Sequence, residues 1–168
     1  LLYDSGEGEL ATPRELDFRE IKNLATEYYD DIWIEITDFY EDAETNISKE
    51  KYTHSSFFLH QVTERLLKTI PLVYILYRYK EHDLKYLLET CKKYTLEVVK
   101  VFPCDTAEEQ RLFDLLRRAY IEARYNKKYF IVTKEDIGVL ILKVTQLKQV
   151  IEKVCRERIA CYDAQIGK

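Results

Sequence analysis

The sequence predicts an all-α fold, a five-helix antiparallel up-and-down bundle. Of its 168 residues, 46% are hydrophobic, which is enough for one well-buried core. Only four Gly and three Pro are present, which leaves few of the breaks that a many-stranded β architecture needs. Apolar residues also recur every three to four positions through most of the chain, which is the period of a helix. These observations favour long helices joined by short connections.

The first two predicted helices carry long apolar stripes. The first begins at Phe18, and its apolar positions are Ile21, Leu24, Tyr28, Ile32, Ile36, Phe39, Ala43 and Ile47. After a turn near residues 48–53, the second helix has its stripe at Phe58, Val62, Leu66, Ile70, Val73 and Tyr77. Pro71 lies within that stripe, so we expect it to bend the second helix or to end it early.

Polar residues mark the starts of the next two helices. His82 and Asp83 open a shorter third helix that runs to Cys91. Thr106 and Glu109 have the spacing of a capping box, in which the hydroxyl accepts from one free backbone amide and the carboxylate accepts from another. They predict the start of the fourth helix.

The fifth helix follows a short connector, residues 129–132, which is β-prone but too short for us to expect a strand. Thr133 is the predicted N-cap, with Asp136 three residues further on. The inner seam of this helix is heptad-like and comprises Ile137, Leu140, Ile141, Val144, Leu147, Ile151, Val154 and Arg158.

Charge is distributed unevenly along the chain. The formal net charge is −4, but residues 1–50 carry 15 acidic and 4 basic side chains, whereas residues 111–128 carry six basic and two acidic ones. A local basic patch of this kind can hold an anion, although the whole chain would not bind nucleic acid through bulk charge. The alternative is a solvated basic face that packs near the acidic first helix.

Missing motifs argue against several kinds of site. The four Cys lack C-x-x-C spacing and the three His lack an i, i+4 partner, so we expect free thiols of a reducing compartment, no metal and no bound cofactor. The most apolar run, residues 70–76, is too short to span a bilayer, which predicts a soluble, cytoplasmic protein. Because no nucleophile elbow or Gly-rich phosphate loop occurs, no catalytic residue is predicted.

The fourth predicted helix carries the clearest candidate binding surface. Arg117, Tyr120 and Arg124 fall on one face. The opposite, apolar face comprises Leu112, Leu116, Ala119 and Ala123. Arg binds phosphate oxygens bidentately and Tyr stacks on flat rings, so the polar face suits a phosphate-bearing ligand with a base. The alternative is that these side chains are merely solvated or ion-paired.

A polar cluster interrupts the apolar run of the second helix, and it comprises His60, Gln61, Glu64 and Arg65. Clustered polar groups need partners, which the polar face of the fourth helix could supply across a groove. The alternative is structural: Glu64 pairs with Arg124 or Arg65 and so satisfies a buried charge.

Three short motifs together resemble the HEPN domain family. They are HQVTER at residues 60–65, HDL at 82–84 and AYIEARY at 119–125. The resemblance runs from about Asp17 to Ala160, nearly the whole chain, and it implies an all-helical bundle.

The same resemblance implies a domain organisation. The opening LYDSG at residues 2–6 is similar to the junction that follows a minimal nucleotidyltransferase domain in one branch of the family. We therefore expect residues 1–16 to be a linker from such a domain, residues 17–160 to be the helical domain and residues 161–168 to be a C-terminal tail.

In that prokaryotic branch, the resemblance implies an often dimeric domain that binds the nucleotide or substrate of a nucleotidyltransferase. Other HEPN proteins are metal-independent RNases with an Arg followed four to six residues later by a His. Here Arg124 matches, but residues 125–130 contain no His, and Tyr129 stands where it would be expected. A phenol is a poor general base at neutral pH. The groove residues implied by the resemblance are His60, Gln61, Glu64, His82, Arg124 and Tyr125.

We therefore expect a non-catalytic domain that binds a nucleotide, such as ATP, or a polyphosphate. Arg124 and Arg117 would bind the phosphates and Tyr120 or Tyr125 would stack on the base, and Tyr129 is a further candidate for nucleotide binding. One alternative is an RNase that acts on RNA at a dimer groove. Another is a structural dimerisation module, for which the 14 Tyr provide interface-prone material. A homodimer is expected because several aromatic residues lie outside the main stripes, namely Tyr29, Trp33, Phe57 and Tyr74.

Overall fold

Five α-helices make up most of residues 15–166, the part of the chain that the computed structural model describes. They are α1 (Phe18–Ser48), α2 (Tyr52–Ile75), α3 (Leu84–Cys91), α4 (Ala107–Tyr125) and α5 (Lys134–Ile166), with a 3₁₀ turn at Val99–Val101. Residues 15–166 contain no strand, so the predicted all-helical fold is confirmed. The expected linker lies outside the described residues except for its last two positions.

Side-chain caps fix the starts of four helices. Asp17, Asp83, Thr106 and Thr133 each accept a hydrogen bond from the backbone N–H three residues further on. The predicted capping box of α4 is present, and Thr133 caps α5 as expected.

The central helix of the bundle is α2, which contacts all four other helices. Sixteen of its 24 residues are buried, so it has no solvated face over most of its length. The hydroxyl of Ser55 donates to the carbonyl of Ala43, and Arg65 donates to Glu35 further along, so α1 and α2 run antiparallel. The helix continues past Pro71 and ends at Ile75, short of the last predicted stripe position.

The last helix is longer than the sequence pattern suggests. It runs to Ile166, so the predicted tail, residues 161–168, begins inside it. Tyr162 is buried in this extension, and its hydroxyl donates to the carbonyl of Val73 at 2.8 Å. Seven residues separate Tyr162 from buried Cys155, so the apolar seam of α5 continues by one heptad.

The aromatic residues that we assigned to a dimer surface pack inside the protomer. Tyr29 is 3% exposed and stacks on Trp33, with ring centres 5.0 Å apart. Trp33, Phe57 and Tyr74 are partly buried against the same core. A single apolar stripe predicts contact with one neighbouring helix, but α1 and α2 each contact more than one helix. Residues outside the stripe are therefore buried as well. These residues therefore give no support to a dimer.

Candidate functional site

Arg124 is the centre of an exposed cluster at the end of α4, the Arg124 cluster, which comprises Phe57, Tyr120, Arg124 and Tyr125. Its Cζ lies 4.5 Å from the ring centre of Tyr120, 5.3 Å from that of Phe57 and 5.2 Å from that of Tyr125. Its Nε donates to the carbonyl of Tyr120 at 2.7 Å. Among residues 15–166 the guanidinium has no carboxylate partner, so its outer nitrogens are available to a ligand.

A buried carboxylate organises the adjacent part of α2, the Glu64 cluster, which comprises His60, Glu64, Lys68 and His82. One oxygen of Glu64 accepts from Lys68 Nζ at 2.7 Å, and the other lies 3.1 Å from His82 Nδ1. The structural alternative, in which Glu64 pairs with Arg124 or Arg65, is therefore wrong, because its partners are Lys68 and His82. Lys68 lies four residues after Glu64 on the same face of α2, so its ammonium group contacts the carboxylate directly.

Burial and hydrogen bonding set the protonation of the Glu64 cluster. Burial alone would raise the pKa of Glu64, but hydrogen bonds from Lys68 and His82 hold it below its ordinary value. Burial lowers the pKa of His60 to about 4, so this imidazole is neutral at neutral pH. Its Nδ1 lies 3.9 Å from Glu64 and has no hydrogen-bond partner in the described part of the chain.

Tyr120 joins the two clusters. Its ring centre is 5.1 Å from that of His60 and 5.2 Å from that of His82, and the His82 ring is parallel to it within 10°. His82 is exposed on its outer side while Glu64 is inaccessible beneath it. Tyr120 thus connects the buried Glu64 cluster of α2, through His60 and His82, to the exposed Arg124 on α4.

Arg117 is held by two carboxylates. Its Nη1 donates to Asp114 and its Nη2 donates to Asp83, both at 2.9 Å. The hydrogen bond to Asp83 is the main cause of its raised pKa. Because Asp83 also caps α3, this pair fixes α3 against α4. The structure thus gives Arg117 protein partners where the sequence predicts a phosphate.

Two further predicted residues lie at the margins. The amide oxygen of Gln61 accepts from Arg65 at 2.9 Å, and Arg65 in turn bonds to Glu35, so Gln61 faces α1. Tyr129 lies beyond the end of α4 and is 79% exposed, with Lys128 Nζ 5.5 Å from its ring centre. In the described part of the chain, neither residue forms a hydrogen bond or a ring contact with Arg124.

Sequence reasoning missed two members of these clusters. Lys68 is the partner of Glu64, and their i, i+4 spacing is a signal that could have found it. Phe57 lies against Arg124, whereas its position outside the main stripes led us to assign it to a dimer surface. Within residues 15–166, no three His, Cys, Asp or Glu side chains converge as metal ligands would. No described helix is long and apolar enough to cross a bilayer.

Comparison with known proteins decides the family. A family model of the HEPN domain matches residues 32–154. The chain belongs to the HEPN family. The match includes all of α2, α3 and α4, and so all the residues of both clusters. HEPN domains are helical domains associated with nucleotides and RNA, which places the chain in that broad functional class. No curated protein matches the chain.

Proposed function

We propose that this HEPN domain binds a nucleotide such as ATP, or a polyphosphate, at the Arg124 cluster. The observation that carries the proposal is the exposed guanidinium of Arg124, which has no acidic partner in the described chain and is held by three rings and a backbone carbonyl. A guanidinium fork positioned in this way matches two oxygens of a phosphate.

The rings around Arg124 divide the remaining roles. Tyr125 is 74% exposed, so its ring can stack on a base. The ring of Tyr120 is already occupied by its contacts with His60 and His82, so we assign it the role of holding Arg124 in place. Arg117 fixes the α3–α4 contact from one side and does not bind phosphate in this scheme.

We also propose that the domain holds the nucleotide substrate for a nucleotidyltransferase domain; the three motifs that resemble the HEPN family support that role. We also propose that it forms a homodimer. Ile121, Tyr125 and Ile131 are all more than half exposed at the α4–α5 end and support this. Light scattering of the purified protein should give twice the 20.1 kDa protomer mass. A monomer at micromolar concentration would remove this part of the proposal.

A second candidate, metal-independent cleavage of RNA, is favoured by one observation. Glu64 accepts from Nδ1 of His82, which leaves Nε2 of this exposed imidazole free to accept a proton. His82 could thus take the proton of a ribose 2′-hydroxyl as that oxygen attacks phosphorus. Arg124 would stabilise the phosphate oxygens while the 5′ oxygen leaves and is protonated by solvent.

Two measurements on the purified domain separate these functions. Isothermal titration calorimetry with ATP tests binding, and loss of the signal in Arg124→Ala supports the first proposal. Incubation of the same protein with single-stranded RNA tests cleavage, with His82→Ala as the control for a contaminating nuclease. ATP binding without RNA cleavage supports nucleotide binding as the only function of the two. RNA cleavage that is lost in His82→Ala supports the RNase function.

A further inference from the structure

A cavity of about 310 Å³ lies where the first turn of α2 meets the segment after α4. Its ionisable side chains are Glu50, Lys51, Tyr52, His54 and Lys127. Lys127 Nζ lies 3.2 Å from Nε2 of His54 across the cavity. Because a water molecule takes up roughly 30 Å³, the cavity has room for a diphosphate group. None of these residues belongs to either cluster described above.

The cavity lies next to the Arg124 cluster, at the start of α2 and just beyond the end of α4. On one side, Lys127 follows Arg124 by three residues and lies in the turn after α4 ends at Tyr125. On the other, His54 precedes Phe57 by three residues, and the ring of Phe57 contacts Arg124. Within α2, three residues advance about 4.5 Å along the helix axis, a distance that a chain of two or three phosphates spans. A ligand phosphate on Arg124 would therefore direct the next phosphates towards Lys127.

We propose that this cavity binds the terminal phosphates of a nucleoside triphosphate whose first phosphate is bound by Arg124. The proposal rests on the function proposed above and specifies its ligand: a nucleoside triphosphate is preferred over the monophosphate. Lys51 and Lys127 supply two positive charges against the single carboxylate of Glu50. Lys127 turns from His54 to the phosphate oxygens when the ligand binds.

The protonation of His54 fits this role. Burial lowers its pKa, and the charges of Lys127 and Lys51 lower it further, while Lys127 donates to its Nε2. A phosphate dianion between the two side chains offsets both lysine charges, so His54 takes up a proton and becomes a further donor. Glu50 also lines the cavity, and its negative charge repels the ligand and therefore limits its affinity.

Calorimetric titration with ATP and with AMP tests the proposal. The native domain should bind ATP at least about tenfold more tightly than AMP. Lys127→Ala should remove most of that preference, because it weakens ATP binding about tenfold and changes AMP binding less than about twofold. The matched control is Lys128→Ala, since Lys128 is also exposed but lies over the ring of Tyr129. This control should leave both affinities unchanged.

The outcomes separate this inference from the function on which it rests. If the native domain binds ATP and AMP equally and Lys127→Ala changes neither, the cavity is not a phosphate site, although nucleotide binding stands. If neither nucleotide binds, the proposed function itself fails. Proton NMR adds an independent readout: the titration midpoint of the His54 imidazole should rise with ATP and not with AMP. An unchanged midpoint with bound ATP overturns the inference.

Discussion

Replacing Arg124 by Ala tests the proposed site most directly. If the guanidinium binds phosphate through two charge-assisted hydrogen bonds, the substitution should weaken ATP binding by about 1.5–3 kcal/mol. That corresponds to a loss of roughly 10- to 150-fold in Kd. Arg124→Lys should restore only part of the affinity, because an ammonium group cannot reproduce the fork. Titration calorimetry measures all three proteins.

The same substitution should cost little stability. Arg124 is exposed, and the cation–π interaction of a guanidinium at such a site is worth about 0.5–1 kcal/mol, here shared by one charge among three rings. A total loss of about 1 kcal/mol lowers the melting temperature by about 2–4 °C in a chain of this size. Because Glu64 bonds to Lys68 and His82, combining Glu64→Ala with Arg124→Ala should give additive losses.

Arg118→Ala provides the matched control for Arg124→Ala. Arg118 lies on the same helix, is 61% exposed and contacts Glu122 at 3.7 Å, so its removal changes the net charge equally without touching the Arg124 cluster. Equal ATP affinities for the native protein and Arg124→Ala would refute the binding role. Equal losses from both substitutions would show a general charge effect and would refute the specific contact.

Three further predictions concern stability. Glu64→Ala leaves the buried Lys68 without its carboxylate and should cost about 3–5 kcal/mol in chemical denaturation, whereas Glu89→Ala, at an exposed pair with Lys92, should cost less than about 1 kcal/mol. Lowering the pH from 6.5 to 4 should reduce the free energy of unfolding by roughly 3 kcal/mol. The reason is that His60 has a pKa of about 4 in the folded protein and is protonated more readily in the unfolded chain. Chemical denaturation of His60→Gln should not show this loss. Because the pKa of Glu64 is lowered in the folded protein, its protonation at still lower pH should reduce the stability further. Tyr162→Phe should lower the melting temperature by the equivalent of about 1 kcal/mol, since it removes the buried hydrogen bond to Val73; an unchanged value would mean that the end of α5 is not docked.

The helices are predictable because their signals are local. Leu112, Leu116 and Ala119 lie one turn apart and are buried as their spacing predicts. The capping residues act within a single turn, so their spacing is also visible in the sequence. The end of α5 is harder to predict, because a Tyr near the end of a helix is compatible with an exposed position. The burial of Tyr162 depends on the hydrogen bond to the carbonyl of Val73, which is distant in the sequence.

The candidate site is predictable only in part, because its partners come from distant segments. Tyr120 and Arg124 share a face by helical phase, and they do contact each other. His82 reaches Glu64 from a loop 18 residues away, and the course of that loop cannot be read from residue spacing. For the same reason, the bond of Arg117 to Asp83, 34 residues away, is hidden in the sequence.

The Glu64 cluster is unusual for the core of a small bundle. It places an ionised carboxylate, an ammonium group and an imidazole with an unpartnered Nδ1 in the most buried helix. Buried ion pairs of this kind often contribute no more stability than apolar residues of similar size. The core therefore contains buried polar and charged side chains next to the exposed Arg124. Such departures from an apolar core are typical of functional sites.

Replacing the buried pair with apolar residues tests that argument. In a Glu64→Leu and Lys68→Met double variant, no buried charge is left unpaired, so the melting temperature should equal or exceed that of the native protein. His82 loses its carboxylate partner at the same time, and Tyr120 loses the fixed ring against which it stacks. ATP binding should therefore weaken although the fold is intact. If the double variant instead loses as much stability as Glu64→Ala, the pair is required by the fold, and its position beside Arg124 needs no functional explanation.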